Sequence, residues 1–218
     1  MMFLPVISYT LYHSSNSYIG TALLRRALRR FDSVELVRRP ILVPRSMGVR
    51  VIDMLDGKDN RNAASYGLED DRRWSERYRI PFKPLDAGTF NEWARRWATA
   101  KFEREELAAR AFYAAEPAGR DALDDALFEA VWVEGLDVNE ESTIRWAATR
   151  AELDPDRLWI SINDGAGAVE AWAAVEDFLA AECPGVPTVM IRGERFFGKD
   201  RVDWIFNRCK ELTADGKE

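Results

Sequence analysis

Apolar positions along the chain change period several times, and each change predicts an element. Residues 6–12 (V-I-S-Y-T-L-Y) read as a strand. Gly20, Leu23, Leu24, Ala27, Leu28 and Phe31 then follow at the 3.6-residue spacing of an amphipathic helix. After a turn at Asp32-Ser33, residues 34–37 read as a second strand, and a strand–helix–strand unit of this length forms a right-handed parallel crossover. Pro40 and Pro44 break regularity. Residues 45–62 are polar apart from Val49, Val51, Ile52 and Leu55, and read as a loop or short helix near the site.

The middle of the chain is helical. A charged helix spans residues 67–78 and stops before Ile80-Pro81, because a residue preceding proline is pushed out of the helical region. Phe90, Trp93, Ala94 and Trp97 make a clear helical stripe. The pattern returns at Leu107, Ala108, Ala111 and Phe112, and again at Leu123, Leu127, Ala130 and Val131. Asn139 is placed to cap a helix with the stripe Ile144, Ala147, Ala148 and Ala151, and Pro155 suits the first turn of a short one. These aromatic stripes read as the core of a helical bundle rather than as a cofactor box. Gly165 and Gly167 precede a helix over 169–181. Residues 187–191 and 195–197 are β-rich, with Gly193-Glu194 a hairpin-sized link, and a last helix covers 200–212. The outline is β-α-β, several helices, then α-β-β-α: a small mixed sheet with a helical insertion between its halves.

Composition narrows the function classes. The 218 residues are 47% hydrophobic and 31% charged, enough for one large domain or a domain with a sizeable insertion. A net charge of −6 argues against a nucleic-acid surface, which needs a basic stripe to neutralise phosphates. The N-terminal M-M-F-L-P-V-I-S-Y lacks the basic start and long apolar run of a signal or membrane segment. Cys183 and Cys209 stand far apart and form no C-x-x-C pair, which suggests a cytoplasmic protein with reduced thiols. Cys209 shares an apolar face with Val202, Ile205 and Phe206 and reads as a buried, inert thiol. One histidine and two separated cysteines are too few for a zinc site.

The candidate chemistry lies where the first strand ends. Ser14, Ser15, Asn16 and Ser17 open the first helix, and serine and asparagine are good caps because their side chains accept bonds from first-turn N–H groups. A strand delivered to a helix N-terminus creates a spot that favours an anion, such as a thiolate. Spacing by itself reads Ser14 as an ordinary cap. His13 beside it could shuttle protons, but adjacent strand residues point to opposite faces, so a packing or surface role reads better.

The segment G-V-P-T-V-M-I-R-G-E-R-F-F-G-K-D-R-V-D-W-I (185–205) resembles the signature of the kappa-class glutathione transferase and 2-hydroxychromene-2-carboxylate isomerase family. S-S-N-S-Y-I-G (14–20) is similar to that family's S-P-Y-S-W-L-G, and R-R-W-S-E-R-Y-R-I-P-F (72–82) agrees more loosely. The resemblance implies an α/β fold, the thioredoxin fold of the DsbA-like type with an all-helical insertion between the two halves of the sheet. Residues 1–48 and 165–218 would form the thioredoxin-fold domain and 49–164 the insertion. It implies a homodimer using glutathione, with a small aromatic or apolar electrophile as second substrate; the charge and the N-terminal residues already argue against nucleic acid and membrane as partners.

The same resemblance carries the site residues. Ser14 falls where thiol oxidases have their first cysteine and where this family has its catalytic serine; Ser17 replaces the second cysteine, so dithiol–disulfide exchange is ruled out at that spot. Ser14 is then the hydrogen-bond donor to the glutathione thiolate. Pro187, cis by resemblance, would make Val186 present its backbone to the cysteinyl part of glutathione as a short added strand. Asp200 corresponds to the carboxylate that receives the γ-glutamyl ammonium. Lys199 replaces a small polar residue and would either pair with a glutathione carboxylate or block it. Ser15 replaces a common proline, and no G-N-K-P-P-like pocket segment is recognisable between Lys58 and Ala64. The competing reading is a redox-inactive DsbA-like binding protein, or a relative of the DsbA oxidoreductases, without glutathione chemistry.

Overall fold

The computed structural model of the chain describes residues 3–47 and 61–213. Its frame is a four-stranded sheet in the order β2-β1-β3-β4, made of β1 (Leu4–Thr10), β2 (Val34–Pro40), β3 (Thr188–Ile191) and β4 (Glu194–Phe197). β1 and β2 are parallel, in register from Leu4↔Val34 to Thr10↔Pro40. β3 runs antiparallel to β1 with Tyr9 opposite Thr188, and β4 antiparallel to β3. Helix α1 (Ser15–Leu28) makes the crossover between β1 and β2. β2 runs three residues beyond the stretch that hydrophobicity predicts. It is an edge strand, so the missing N–H of Pro40 at its end costs no ladder bond on the open side.

Between the halves of the sheet stand α2 (Arg61–Tyr78), α3 (Ala87–Thr99), α4 (Glu106–Ala114), α5 (Pro117–Glu129), α6 (Glu141–Arg150) and α7 (Pro155–Asn163). Then come α8 (Ala168–Ala180), the β3–β4 hairpin, a 3-10 turn (Lys199–Arg201) and α9 (Val202–Leu212). α2 begins six residues before its predicted start because Gly67 is an interior helical residue and not a boundary. The stretch expected as loop or short helix holds a 3-10 turn at Arg45–Met47; Val49, Val51, Ile52 and Leu55 lie outside the described residues. Two local features were not foreseen. α5 runs on into a π-helical turn (Ala130–Glu134) that ends at Gly135, whose φ of 75° suits glycine. Asn139 does not cap α6, which starts after Glu140 without a side-chain cap; its Oδ1 instead accepts from the Glu105 N–H at 2.7 Å.

The core ignores the boundaries drawn from the sequence. Leu4, Val6, Leu24, Leu28, Val189, Ile191, Ile205 and Cys209 fill the space between sheet, α1 and α9. Tyr12, which follows β1, is fully buried among Leu107, Leu123, Leu127 and Phe128 of the insertion. On the other face Phe112 and Tyr113 of α4 join Tyr9, Ala171, Ala174 and Phe178. The aromatic stripe of α3 is core, as its period predicts, with Trp93 and Trp97 both buried. Cys183 and Cys209 are free thiols.

Candidate functional site at the mouth of helix α1

Ser14 is the last extended residue before α1, with φ −99° and ψ 112°. Its Oγ accepts from the Ser17 N–H at 3.2 Å, and its carbonyl accepts from the Tyr18 N–H at 3.0 Å. The hydroxyl thus spends a lone pair on the cap, and no acceptor among the described residues takes its proton. No acidic residue occupies the first turn of α1, so nothing within that turn opposes an anion there. Ser17 instead shapes the backbone. It is buried, and its Oγ accepts from the Leu11 N–H at 3.3 Å, closing the bend from β1 into the helix.

The proline loop meets this helix one turn further along. The Val186–Pro187 peptide is cis, and a Cβ on Gly20 would stand 3.1 Å from Pro187 Cγ and 3.4 Å from Lys199 Cα. Glycine at position 20 therefore lets α1, the proline loop and the start of the last helical segment come together. The Pro187 carbonyl accepts from Gly198 N–H at 2.9 Å, while no hydrogen bond within the described residues takes up the Val186 N–H or C=O. Gly198 has φ 102°, and a Cβ there would meet Asp200 Oδ1 at 2.7 Å. Asp200 is exposed and pairs with its neighbour Arg201 at 2.7 Å.

Lys199 is buried, and its ammonium is fully engaged by the protein. Nζ lies 2.9 Å from Asn16 Oδ1, 2.8 Å from Asp70 Oδ2 and 2.7 Å from Asp71 Oδ1. Burial pulls its pKa down, but hydrogen bonds from Asp70 and Asp71 outweigh that and hold it above the ordinary lysine value. To pair with a bound carboxylate it would have to leave one of those partners. What Lys199 does in this structure is hold α2 and the Asn16 side chain against the mouth of α1.

His13 is buried and faces away from solvent into the insertion. Nδ1 lies 3.1 Å from Glu105 Oε1 and Nε2 lies 3.2 Å from Asp137 Oδ1, with the Trp97 ring centroid at 4.5 Å. Burial pulls the imidazole pKa down, yet the two carboxylates more than compensate and raise it. Asp137 is raised by burial and brought lower overall by His13, the Asn139 N–H and the Trp97 indole. Glu105, in the left-handed region at φ 66°, also accepts the backbone N–H of His13 at 3.0 Å. This pins the chain immediately before Ser14. The packing role expected for His13 is what the structure holds; no proton shuttle is built there.

Sequence reasoning thus named Ser14, Val186, Pro187, Lys199 and Asp200, all of which come from the elements around the α1 mouth. It missed Asp70, Asp71 and Glu105. The acidic pair reads as a solvated helix face until α2 is placed against Lys199, and Glu105 carries no local signal at all. Asn16 was visible in the opening motif, without a role.

A sheet of this order, with a capped helix leaving β1 and a cis-proline before β3, defines a thioredoxin fold. The chain belongs to the DSBA-like thioredoxin domain family, which matches residues 6–209. It is 24% identical over 192 residues to a 2-hydroxychromene-2-carboxylate isomerase from Sphingobium xenophagum, covering 87% of this chain and 89% of that protein. A solved 2-hydroxychromene-2-carboxylate isomerase superposes with a TM-score of 0.73 at 20% identity, over 96% of both chains. A probable DsbA oxidoreductase from Streptomyces coelicolor gives the same TM-score of 0.73 at 20% identity, over 94% of this chain and 88% of that one. The cytosolic disulfide reductase DsbM from Pseudomonas aeruginosa, solved with GSH, gives 0.59 at 13% identity, over 95% of this chain and 100% of that one. Among the described residues no helix is long and apolar enough to cross a membrane, and no cluster of residues suits a metal ion.

Proposed function

We propose that the chain is a glutathione-dependent isomerase or transferase in which the Ser14 hydroxyl stabilises the glutathione thiolate. The observation that carries this reading is a serine capping α1 with its proton taken up by no acceptor among the described residues, on a helix whose second turn packs against a cis-proline loop. The 24% identical isomerase and the GSH-bound relative of the same fold support it.

The energies are of the right size. Lowering a free thiol's pKa by about two units takes roughly 2.7 kcal/mol. A helix N-terminus supplies on the order of 0.3–2 kcal/mol, and a hydroxyl bonded to a charged acceptor roughly 1.5–3 kcal/mol. Ser14 at the start of α1 provides both. The Val186 backbone pairs with the cysteinyl part of the tripeptide, and Asp200 takes the γ-glutamyl ammonium. Lys199 acts indirectly, by holding Asn16 and α2 in place. As an isomerase, the thiolate adds to the β-carbon of a conjugated carbonyl and the electron pair moves to the carbonyl oxygen. The former double bond then rotates, and the returning pair expels the thiolate. As a transferase, the sulfur displaces a leaving group from an aromatic or apolar electrophile and stays attached. Both need the same activated sulfur.

The engagement of Lys199 by the protein's own carboxylates favours one alternative, a redox-inactive thioredoxin-fold binding protein whose proline groove holds a partner strand. Titration calorimetry with reduced glutathione separates the two. The enzyme reading expects millimolar or tighter binding that weakens in Asp200→Ala. Absence of both heat and thermal shift would leave the binding-protein reading. The resemblance also implies a homodimer, for which light scattering is the check.

A further inference from the structure

The chain leaves β1 through a tight turn over residues 11–14, closed by the Ser14 N–H donating to the Leu11 carbonyl at 3.2 Å. The two central N–H groups of such a turn, here those of Tyr12 and His13, take no part in closing it. One side chain takes both. Glu105 Oε2 accepts from the Tyr12 N–H and Oε1 accepts from the His13 N–H at 3.0 Å, across 93 and 92 positions of sequence.

Glu105 breaks the local rules of its own position to do this. It opens α4, where serine, threonine, aspartate or asparagine ordinarily caps the first turn, yet its side chain makes no bond to that helix. Its φ of 66° is left-handed. Among the described non-glycine residues with positive φ, Arg79, Glu152 and Glu182 follow helices and Arg192 sits between β3 and β4, all of them exposed. Those are ordinary places for such a backbone. Glu105 precedes a helix and is fully buried. A residue held there persists only where its surroundings fix it. Asn139 Oδ1 accepts its N–H at 2.7 Å, and its carbonyl accepts from the Ala109 N–H at 2.9 Å. Departures from local preference of this kind concentrate where a site has to be served.

Charge and geometry pull in opposite directions here. A carboxylate this near Ser14 would, by charge alone, disfavour a thiolate. His13 Nδ1 at 3.1 Å and Arg104 at 3.9 Å offset that charge. What Glu105 gives the mouth of α1 is therefore direction, since the central dihedrals of the turn set the angle at which residue 14 leaves it.

We propose that Glu105 is a positioning residue: by fixing the turn over residues 11–14 it sets the direction in which Ser14 presents its hydroxyl. The inference rests on the reading that Ser14 serves a glutathione thiolate. Two substitutions separate the rival roles. Glu105→Gln keeps the length, loses the charge and turns an NH2 toward one of the two backbone N–H groups. Glu105→Asp keeps the charge and tolerates positive φ, but is one methylene too short to reach both. Each is checked by circular dichroism and a urea melt, and the thiol of bound glutathione is titrated by its thiolate absorbance. Positioning predicts a thiol pKa raised by about half a unit or more in both variants, because a hydroxyl bond weakens steeply as it loses alignment. In the unliganded protein the Ser17 amide, which donates to Ser14 Oγ, should exchange about tenfold faster in both while the sheet amides hold. A thiol pKa unchanged or lowered in folded Glu105→Gln overturns the proposal, since a purely structural role or loss of charge alone gives that result. A Glu105→Asp titration identical to wild type overturns it too. Should Glu105→Asp not fold, the sign of the Glu105→Gln shift decides. A wild type that leaves the glutathione thiol near its ordinary value of about 8.5 removes the Ser14 reading, and this inference with it.

Discussion

Ser14 and His13 are neighbours in sequence and opposites in chemistry. On the proposed function Ser14 donates its proton to the thiolate, so Ser14→Ala should leave glutathione bound but raise the pKa of its thiol by about one unit or more, read from a thiolate absorbance titration. An unchanged titration would remove the donor role. His13 is instead a structural group, held between two carboxylates. Its folded pKa is raised above the ordinary value of about 6.5, so the folded state binds its proton more tightly than the unfolded chain. The stability this provides is complete below about pH 6 and disappears as pH rises through the folded pKa. The groups around it fit that sign: Glu105 and Asp137 touch the ring, while Arg104 stands 3.9 Å from Glu105 and Arg96 3.4 Å from Asp137. His13→Gln should cost about 3 kcal/mol near pH 5, and the difference from wild type should narrow toward about pH 9 in urea melts. The two cysteines complete this scale. Burial raises both thiols, Cys209 to about 11, so neither is a ready thiolate. The double variant Cys183→Ser/Cys209→Ser should retain activity in the assay that detects the wild type.

At the scale of elements, Lys199 decides how α2 sits on α1. Lys199→Met leaves Asp71 buried and Asp70 half-buried without their cation, and should cost about 3 kcal/mol in chemical denaturation. Hydrogen exchange should accelerate in Arg61–Tyr78 while the β-sheet stays protected. The elements themselves were largely legible beforehand. Alternation and 3.6-residue stripes are local signals, and they located β1, α1, the aromatic helices and the closing β-β-α. What escaped was set by partners distant in sequence. Lys199 meets Asp71 across 128 positions, and Asn139 is drawn from a capping role by a backbone N–H 34 residues away. The π-helical turn after α5 carries the same residue pattern as ordinary helix, so periodicity alone does not reveal it. The mouth of α1 was readable because its motif is contiguous, and so was the proline loop; the acidic pair and Glu105 were not.

Across the whole molecule, the insertion reaches the mouth of α1 through the two residues that precede Ser14. Tyr12 donates its backbone N–H to Glu105, lends its hydroxyl to Asp124 at 3.0 Å and accepts the Trp132 indole N–H at 2.7 Å, while His13 is held from both sides. The sheet brings β1 to the right place, but helices some ninety positions downstream fix the angle at which its end is presented. On the proposed function, chimaeras between this chain and its relatives should therefore shift their sulfur acidity when the helical layer is exchanged, even with strands, cap and proline loop kept. Directed changes to reactivity would then be sought first in the helical layer, at a distance from any reacting atom.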